Sequence, residues 1–250
     1  MNKSITRQIY EDVESGKNKK LELTDEFKFQ CKRCGQCCHN IDILLTPYDI
    51  MRLCDNLNLT STEFLDKFGR PYIGPESGLP VVIIDFKEDD ACPFLGQNEC
   101  SVYKDRPSSC RSYPIGRMID SENNAIYFLM PSPKHCTAQR TVKSQTLQDW
   151  LEKSEIEIYH KMNNRFAEIL FKLTKNKFAD LDNKILWVVS EVLYDFDHSL
   201  SKYAEVHNLS VPETHEDKFS MIEKSMKELI EFVSKEKSKL EELMSRKEEK

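Results

Sequence analysis

Four thiols fall within eight residues in the run Cys31-Lys32-Arg33-Cys34-Gly35-Gln36-Cys37-Cys38, and no other feature constrains this chain as much. A buried core does not cluster its cysteines in this way. Neither a helix nor a strand aims all four at one apolar face. Thiolates two residues apart can instead bend round a metal centre. Four more cysteines follow at Cys92, Cys100, Cys110 and Cys136, so the chain offers eight candidate ligands, enough for two four-thiolate sites. Spacing leaves open whether the eight share one site or two.

Two metals compete for these ligands. Zinc takes four donors in a tetrahedron, often as two Cys-x2-Cys pairs. Cys31 and Cys34 make one such pair, but Cys92, Cys100, Cys110 and Cys136 do not repeat its spacing. An iron–sulfur cluster takes its thiolates around a larger object, and Cys-x2-Cys-x2-Cys is how a loop wraps one. Cys31, Cys34 and Cys37 have that spacing, and Cys92-Pro93 reads as the distal cysteine followed by proline that completes such a run. The expectation is an iron–sulfur centre of the 4Fe–4S kind, with zinc as the alternative. Cys38 departs from the pattern: neighbouring side chains diverge, so it serves a second centre or a second iron. His39 and His135 sit beside cysteines and read as supporting or surface residues more than as ligands. Cys54 lies on an apolar helical stripe and reads as a buried small side chain. The six histidines are scattered, no cysteine pairs with a base, and catalytic residues stay unassigned.

Composition narrows the class. A chain of 250 residues forms one sizeable domain, or one with a smaller domain appended. Its 39% hydrophobic and 31% charged residues suit a helix-rich protein with wide solvated surfaces. A net charge of -6 argues against general nucleic-acid binding. No apolar run approaches the ~20 residues that cross a bilayer. The charged stretch Met1–Lys20 lacks the apolar segment of a signal peptide, so no membrane association and a cytoplasmic location are expected. There thiols stay reduced, and an odd count of nine cysteines also fits a disulfide framework poorly.

The pattern reads as α+β: a small, irregular, metal-stapled Cys-rich domain with short strands, then a helical C-terminal region. Residues 1–30 read as a polar lead-in with a short helix near Thr6–Ser15, residues 31–140 as the cysteine-cluster domain and residues 141–250 as the helical region. Thr46-Pro47-Tyr48-Asp49 reads as a helix start, followed by the stripe Ile50, Leu53, Cys54 and Leu57. Thr60-Ser61-Thr62-Glu63 reads as a second start, with a capping box. The Gly- and Pro-bearing stretch 69–80 reads as loop. Val81–Phe86 and Ala125–Met130 read as strands. Beyond Thr141 cysteine and glycine disappear. Leu147, Trp150, Leu151, Ile158, Met162, Phe166, Ile169 and Leu173 recur at helical spacing, and Ile185–Tyr203 reads as a second helix. A 4-3 stripe of Ile222, Met226, Leu229, Val233, Leu240 and Leu243 marks an amphipathic last helix that packs internally or meets a helical partner, including a second copy in a homodimer. If metal matters structurally, its removal should unfold much of the first half and spare the helices.

Between Cys100 and Arg117, Arg and Tyr recur beside two cysteines. Arg106, Arg111 and Arg117 either offset thiolate charge or bind an anionic substrate group. Here the chain resembles the YkgJ-like CxxCxxCC cysteine-cluster family of zinc- or iron-chelating domains. The matching blocks are Cys31-x2-Cys34-Gly35-x-Cys37-Cys38, Leu45-Thr46-Pro47-x-Asp49-Ile50, Cys92-Pro93-Phe94-Leu95 and Cys100-Ser101-Val102-Tyr103-x2-Arg106-Pro107-x2-Cys110-Arg111-x-Tyr113-Pro114. They cover roughly residues 28–140 in order, and the helical tail gains nothing from them. The same cluster occurs in flagellin lysine N-methylases, so the resemblance implies S-adenosylmethionine as cofactor and a protein lysine as substrate. The residues add little to that implication. No Gly-rich loop follows a strand. The Cys-x3-Cys-x2-Cys run of many S-adenosylmethionine radical enzymes also fails, because Ile41 stands where its third cysteine would be. The other readings are a zinc-stapled interaction module without enzymatic activity, and a metal-delivery or redox-sensing protein.

Overall fold

The computed structural model describes residues 11–33, 35–39, 41–75, 77–86, 90–97, 99–120, 122, 124–130 and 143–248, with side chains described through residue 236. Cys34, His135, Cys136, Leu240 and Leu243 therefore lie outside the described side chains, and of the helix expected at Thr6–Ser15 only residues 11–14 are described as helical.

The stretch read as a polar lead-in contributes two short strands, β1 (Lys20–Leu21) and β2 (Glu26–Phe27). After β3 (Leu44–Leu45), helix α1 (Pro47–Leu57) starts where the sequence places it. The Thr46 hydroxyl accepts the Asp49 N–H, the Asp49 carboxylate accepts the Thr46 N–H, and Pro47 fills the first turn. Thr60 and Glu63 repeat the device at α2 (Ser61–Phe68).

Residues 69–80 are not all loop. Gly69–Ile73 forms β4, paired antiparallel with β5 (Pro80–Ile84) in a sheet of order β3-β5-β4. Glycine and proline disguise β4, but it is an edge strand, where a proline need not donate to the ladder. The central β5 buries Val82, Ile83 and Ile84, which is why its sequence is a continuous apolar run. After α3 (Ser108–Ser112), β6 (Ile115–Ile119) pairs with β7 (Ala125–Leu129), and β1 lies on the other side of β7. β8 (Gln145–Thr146) pairs with β2.

The helical region holds α4 (Leu147–Lys153), α5 (Glu157–Lys175), α6 (Asn183–Tyr194), α7 (Phe196–His207) and α8 (His215–Glu248). The run from Leu147 to Leu173 breaks between α4 and α5, where Glu155 takes a left-handed φ of 51°. Ile158 is consequently 37% exposed and Tyr159 occupies the buried position. The single helix expected over Ile185–Tyr203 is two, split at Asp195. The Asp195 carboxylate accepts the hydroxyls of Ser61 (3.0 Å) and Thr62 (2.7 Å) at the start of α2.

The main core runs from Ile43, Leu53, Phe64, Val82 and Phe94 into Met162, Leu193, Phe219 and Ile222, so it draws on both sides of residue 141. A second core gathers Leu21, Phe27, Phe29, Ile115 and Leu147, with Trp150 edge-on to both phenylalanines. Among the described residues, no helix is long and apolar enough to cross a membrane.

Candidate metal centre

Three chain segments converge on the cysteines. In the first, Arg33 takes a left-handed φ of 54° and donates its N–H to the Cys31 sulfur at 3.3 Å. Gly35, at φ 71°, then turns the chain into a 3-10 turn over Gln36–Cys38. The left-handed φ favours a residue without a Cβ, and a Cβ there would sit 3.0 Å from Leu95 Cδ1, which would have to give slightly. The second segment docks through backbone: the Cys92 N–H donates to the Cys38 carbonyl at 2.8 Å, and His39 bridges Ala91. It then folds back on itself, with Leu95 bridging Cys100 and Ser101 N–H donating to Phe94 O at 2.9 Å. The third is α3, which carries Cys110.

Electrostatics mark these thiols as one group. The hydrogen bond with Cys38 pulls the Cys37 thiol down to about 6, against the opposing effect of burial. The same bond pushes Cys38 up, with burial and the nearby Cys37, Cys92 and Cys110 adding to it. Burial first, then Cys92, Cys37 and Cys100, raises Cys110. Burial also raises Cys100, with a smaller contribution from Cys37. Cys37, Cys38, Cys92, Cys100 and Cys110 thus feel one another's charge across more than seventy residues of sequence. Cys31 stands exposed on the same loop as Cys37. Cys34 and Cys136 lie outside the described residues. The seven described cysteines form no disulfide. Cys54 sits on α1 in the main core, as its stripe position indicates, and burial raises its thiol to about 12.

This donor set fits a thiophilic metal in kind. Cys38, Cys100 and Cys110 resist ionisation here, and a bound cation would remove that resistance by holding them as thiolates. Among the described residues, however, no group of three or more His, Cys, Asp or Glu side chains closes on a single ion. His39 directs Nδ1 at the Gly35 carbonyl, 3.1 Å away, which ties it to the turn.

The three arginines divide. Arg106 stacks on Tyr103 at 4.0 Å and lies close enough to Cys110 and Cys100 to feel their charge. Arg33 covers the same ring at 4.1 Å. Arg111 is only 5% exposed and donates to the Ser154 carbonyl at 2.8 Å and to that of Lys104, so it clamps backbone, and it also pairs with the Glu155 carboxylate at 3.7 Å. Arg117 donates to the Asn164 side chain on α5.

The sequence pattern places Asp49 only at the start of α1. In the fold it is fully buried and reaches across to Ser108, the first residue of α3. Its place in the Thr-Pro-x-Asp block, beside the cysteine blocks, is the one signal of that second role.

Compared with known families, residues 30–150 match the model CxxCxxCC, described as a putative zinc- or iron-chelating domain. No curated protein matches the chain, and no solved structure does.

Proposed function

Residues 30–150 of this chain match that model of zinc- or iron-chelating domains, and from this premise we propose that its cysteines hold an iron–sulfur centre of the 4Fe–4S type. One observation carries the choice of iron over zinc, and it is spacing. Cys31, Cys34 and Cys37 form the Cys-x2-Cys-x2-Cys run that wraps a cluster, and Cys92-Pro93 supplies the distal cysteine followed by proline. A zinc site often uses two Cys-x2-Cys pairs, and Cys92, Cys100, Cys110 and Cys136 do not repeat that spacing. Cys31, Cys37, Cys38, Cys92, Cys100 and Cys110 are the described candidates to hold it, and Cys34 and Cys136 complete eight thiols, enough for one such centre or two. When bound, such a centre would supply one-electron chemistry. The chain's own residues then keep it in place: Arg106 sets positive charge beside the thiolates, Gly35 lets Leu95 close under the turn, and Cys92 anchors its segment to Cys38.

The test is metal and acid-labile sulfide content, with a visible spectrum, on protein purified without oxygen. Iron and sulfide in similar amounts with a brown chromophore is the expected result. Zinc alone, without sulfide or colour, would overturn the reading and favour a zinc-stapled module. The resemblance to flagellin lysine N-methylases extends the proposal to S-adenosylmethionine-dependent methylation of protein lysines. Calorimetry with S-adenosylmethionine on the loaded protein tests that extension. No heat of binding with the centre intact would remove it.

A further inference from the structure

We propose that Asp49 is the positioning residue of the metal centre, holding Cys110 against the other thiols through Ser108. The inference rests on the reading of Cys110 as a ligand. Asp49 is 0% exposed, and burying a carboxylate is costly unless its oxygens are hydrogen-bonded. Four donors meet it. Thr46 gives its N–H and its hydroxyl, each at 2.9 Å, and Ser108 gives its N–H at 2.8 Å and its hydroxyl at 3.2 Å. The first pair only closes the capping box of α1. The second pair fixes the first residue of α3, two positions before Cys110, to a helix of the main core. Asn163 of α5 adds a second hold, donating to the Ser108 hydroxyl at 3.2 Å. Asp49 also lies close enough to Cys110 to act on its charge.

Cys110 has less local means of holding its place than Cys37, Cys38 or Cys92. Cys37 and Cys38 share one tight turn, and Cys92 is bonded to Cys38 through backbone. Cys110 rides on a five-residue helix whose start is not capped by its own preceding residue. Asp49 supplies that cap from another element. An asparagine would offer one oxygen where two are used, and would turn an NH2 group toward donors.

The capping box of α2 provides an internal control. Glu63 closes the box of α2 with Thr60 alone, whereas Asp49 closes one box and also holds Ser108. The full chain and its variants are purified without oxygen, protein-bound iron and zinc are both counted, and release to excess chelator is timed. Asp49→Asn is expected to release metal about ten- to a hundred-fold faster than wild type, the usual effect of removing a partner that orients a ligand. Glu63→Gln should release it at the wild-type rate. Unchanged release from Asp49→Asn, or equal acceleration in Glu63→Gln, overturns the proposal. Should Asp49→Asn fail to fold, Ser108→Pro carries the test, because it removes both donors of Ser108, suits the first position of α3 and leaves the Thr46–Asp49 box intact. Faster release supports positioning and unchanged release overturns it. Cys110→Ser separates the layers. Accelerated release there beside unchanged release in Asp49→Asn removes positioning alone. Wild-type retention in Cys110→Ser, or no metal in the wild type, removes the ligand reading and this proposal with it.

Discussion

Gly116 in β6 faces Phe128 of β7, and a Cβ there would come within 2.3 Å of the ring. Phe128 is 3% exposed and has no open side to swing toward. Gly116→Ala should therefore destabilise the fold by about 1–3 kcal/mol through overpacking, read as a lower urea midpoint with unchanged slope. His160 gives a prediction of a different kind. Burial, with Arg117 nearby, pulls its imidazole down from the ordinary 6.5 to about 4. The unfolded chain then binds a proton that the folded chain refuses. The stabilising effect of keeping His160 neutral is complete above about pH 6.5 and is lost as pH falls toward 4. His160→Gln should flatten the stability profile between those limits, and an unchanged slope would count against the assignment. At this scale some roles are legible in the sequence and others are not. The stripe position of Cys54 is enough to mark it as buried. Nothing local to Arg111 shows that its partner is a backbone carbonyl 43 residues away.

Among the elements, α8 docks through a fully buried aromatic side chain. Phe219 is 0% exposed beneath it, with Ile222 and Met226 following on the same face. Lys161–Glu216 at 2.8 Å and the paired bonds of Arg165 to Glu223 fix its register on α5. The exposed Lys161–Glu216 pair adds little and the Arg165–Glu223 pair is only half-buried, so the fully buried aromatic ring dominates. Phe219→Ala should cost about 3–5 kcal/mol, and limited proteolysis should then cut within α8 before the rest of the chain. The helix starts at Thr46 and Thr60 can be read from sequence because a capping box is complete within four residues. β4 cannot, because its identity comes from pairing with β5 and not from its own glycine and proline. The split at Asp195 is hidden for the same reason, since the carboxylate answers to Ser61 and Thr62 on a distant helix. The centre divides along this line too. Spacing nominates the eight thiols, but the bond from Cys92 to Cys38 that brings two segments together is backbone to backbone and leaves no mark in the residue types.

For the whole molecule, the decisive question is what metal removal does. The sequence pattern leads one to expect the first half to unfold, because Cys-rich loops have little core of their own. The first half has more core than that expectation allows. Leu53, Phe64, Val82 and Ile84 are buried and continuous with Met162, Leu193 and Phe219 of the helices. The cysteine segments lie at its border: Cys92 and Phe94 belong to it, while Cys38, Cys100 and Cys110 only rest against it. Stripping the metal leaves several thiols gathered without a counter-charge, and burial already holds Cys100 and Cys110 against ionisation. The strain is therefore local, and it falls on the segments with the fewest core contacts. Chelation should leave far-UV circular dichroism nearly unchanged, since the helices and the β3-β5-β4 sheet keep their packing. Protease sensitivity should appear first around Cys31–Cys38 and around Gly96–Cys100, followed by mass spectrometry of the fragments. A loss of helical signal on chelation, or first cuts inside α5 or α6, would mean that the thiol centre holds up the core and does not merely border it.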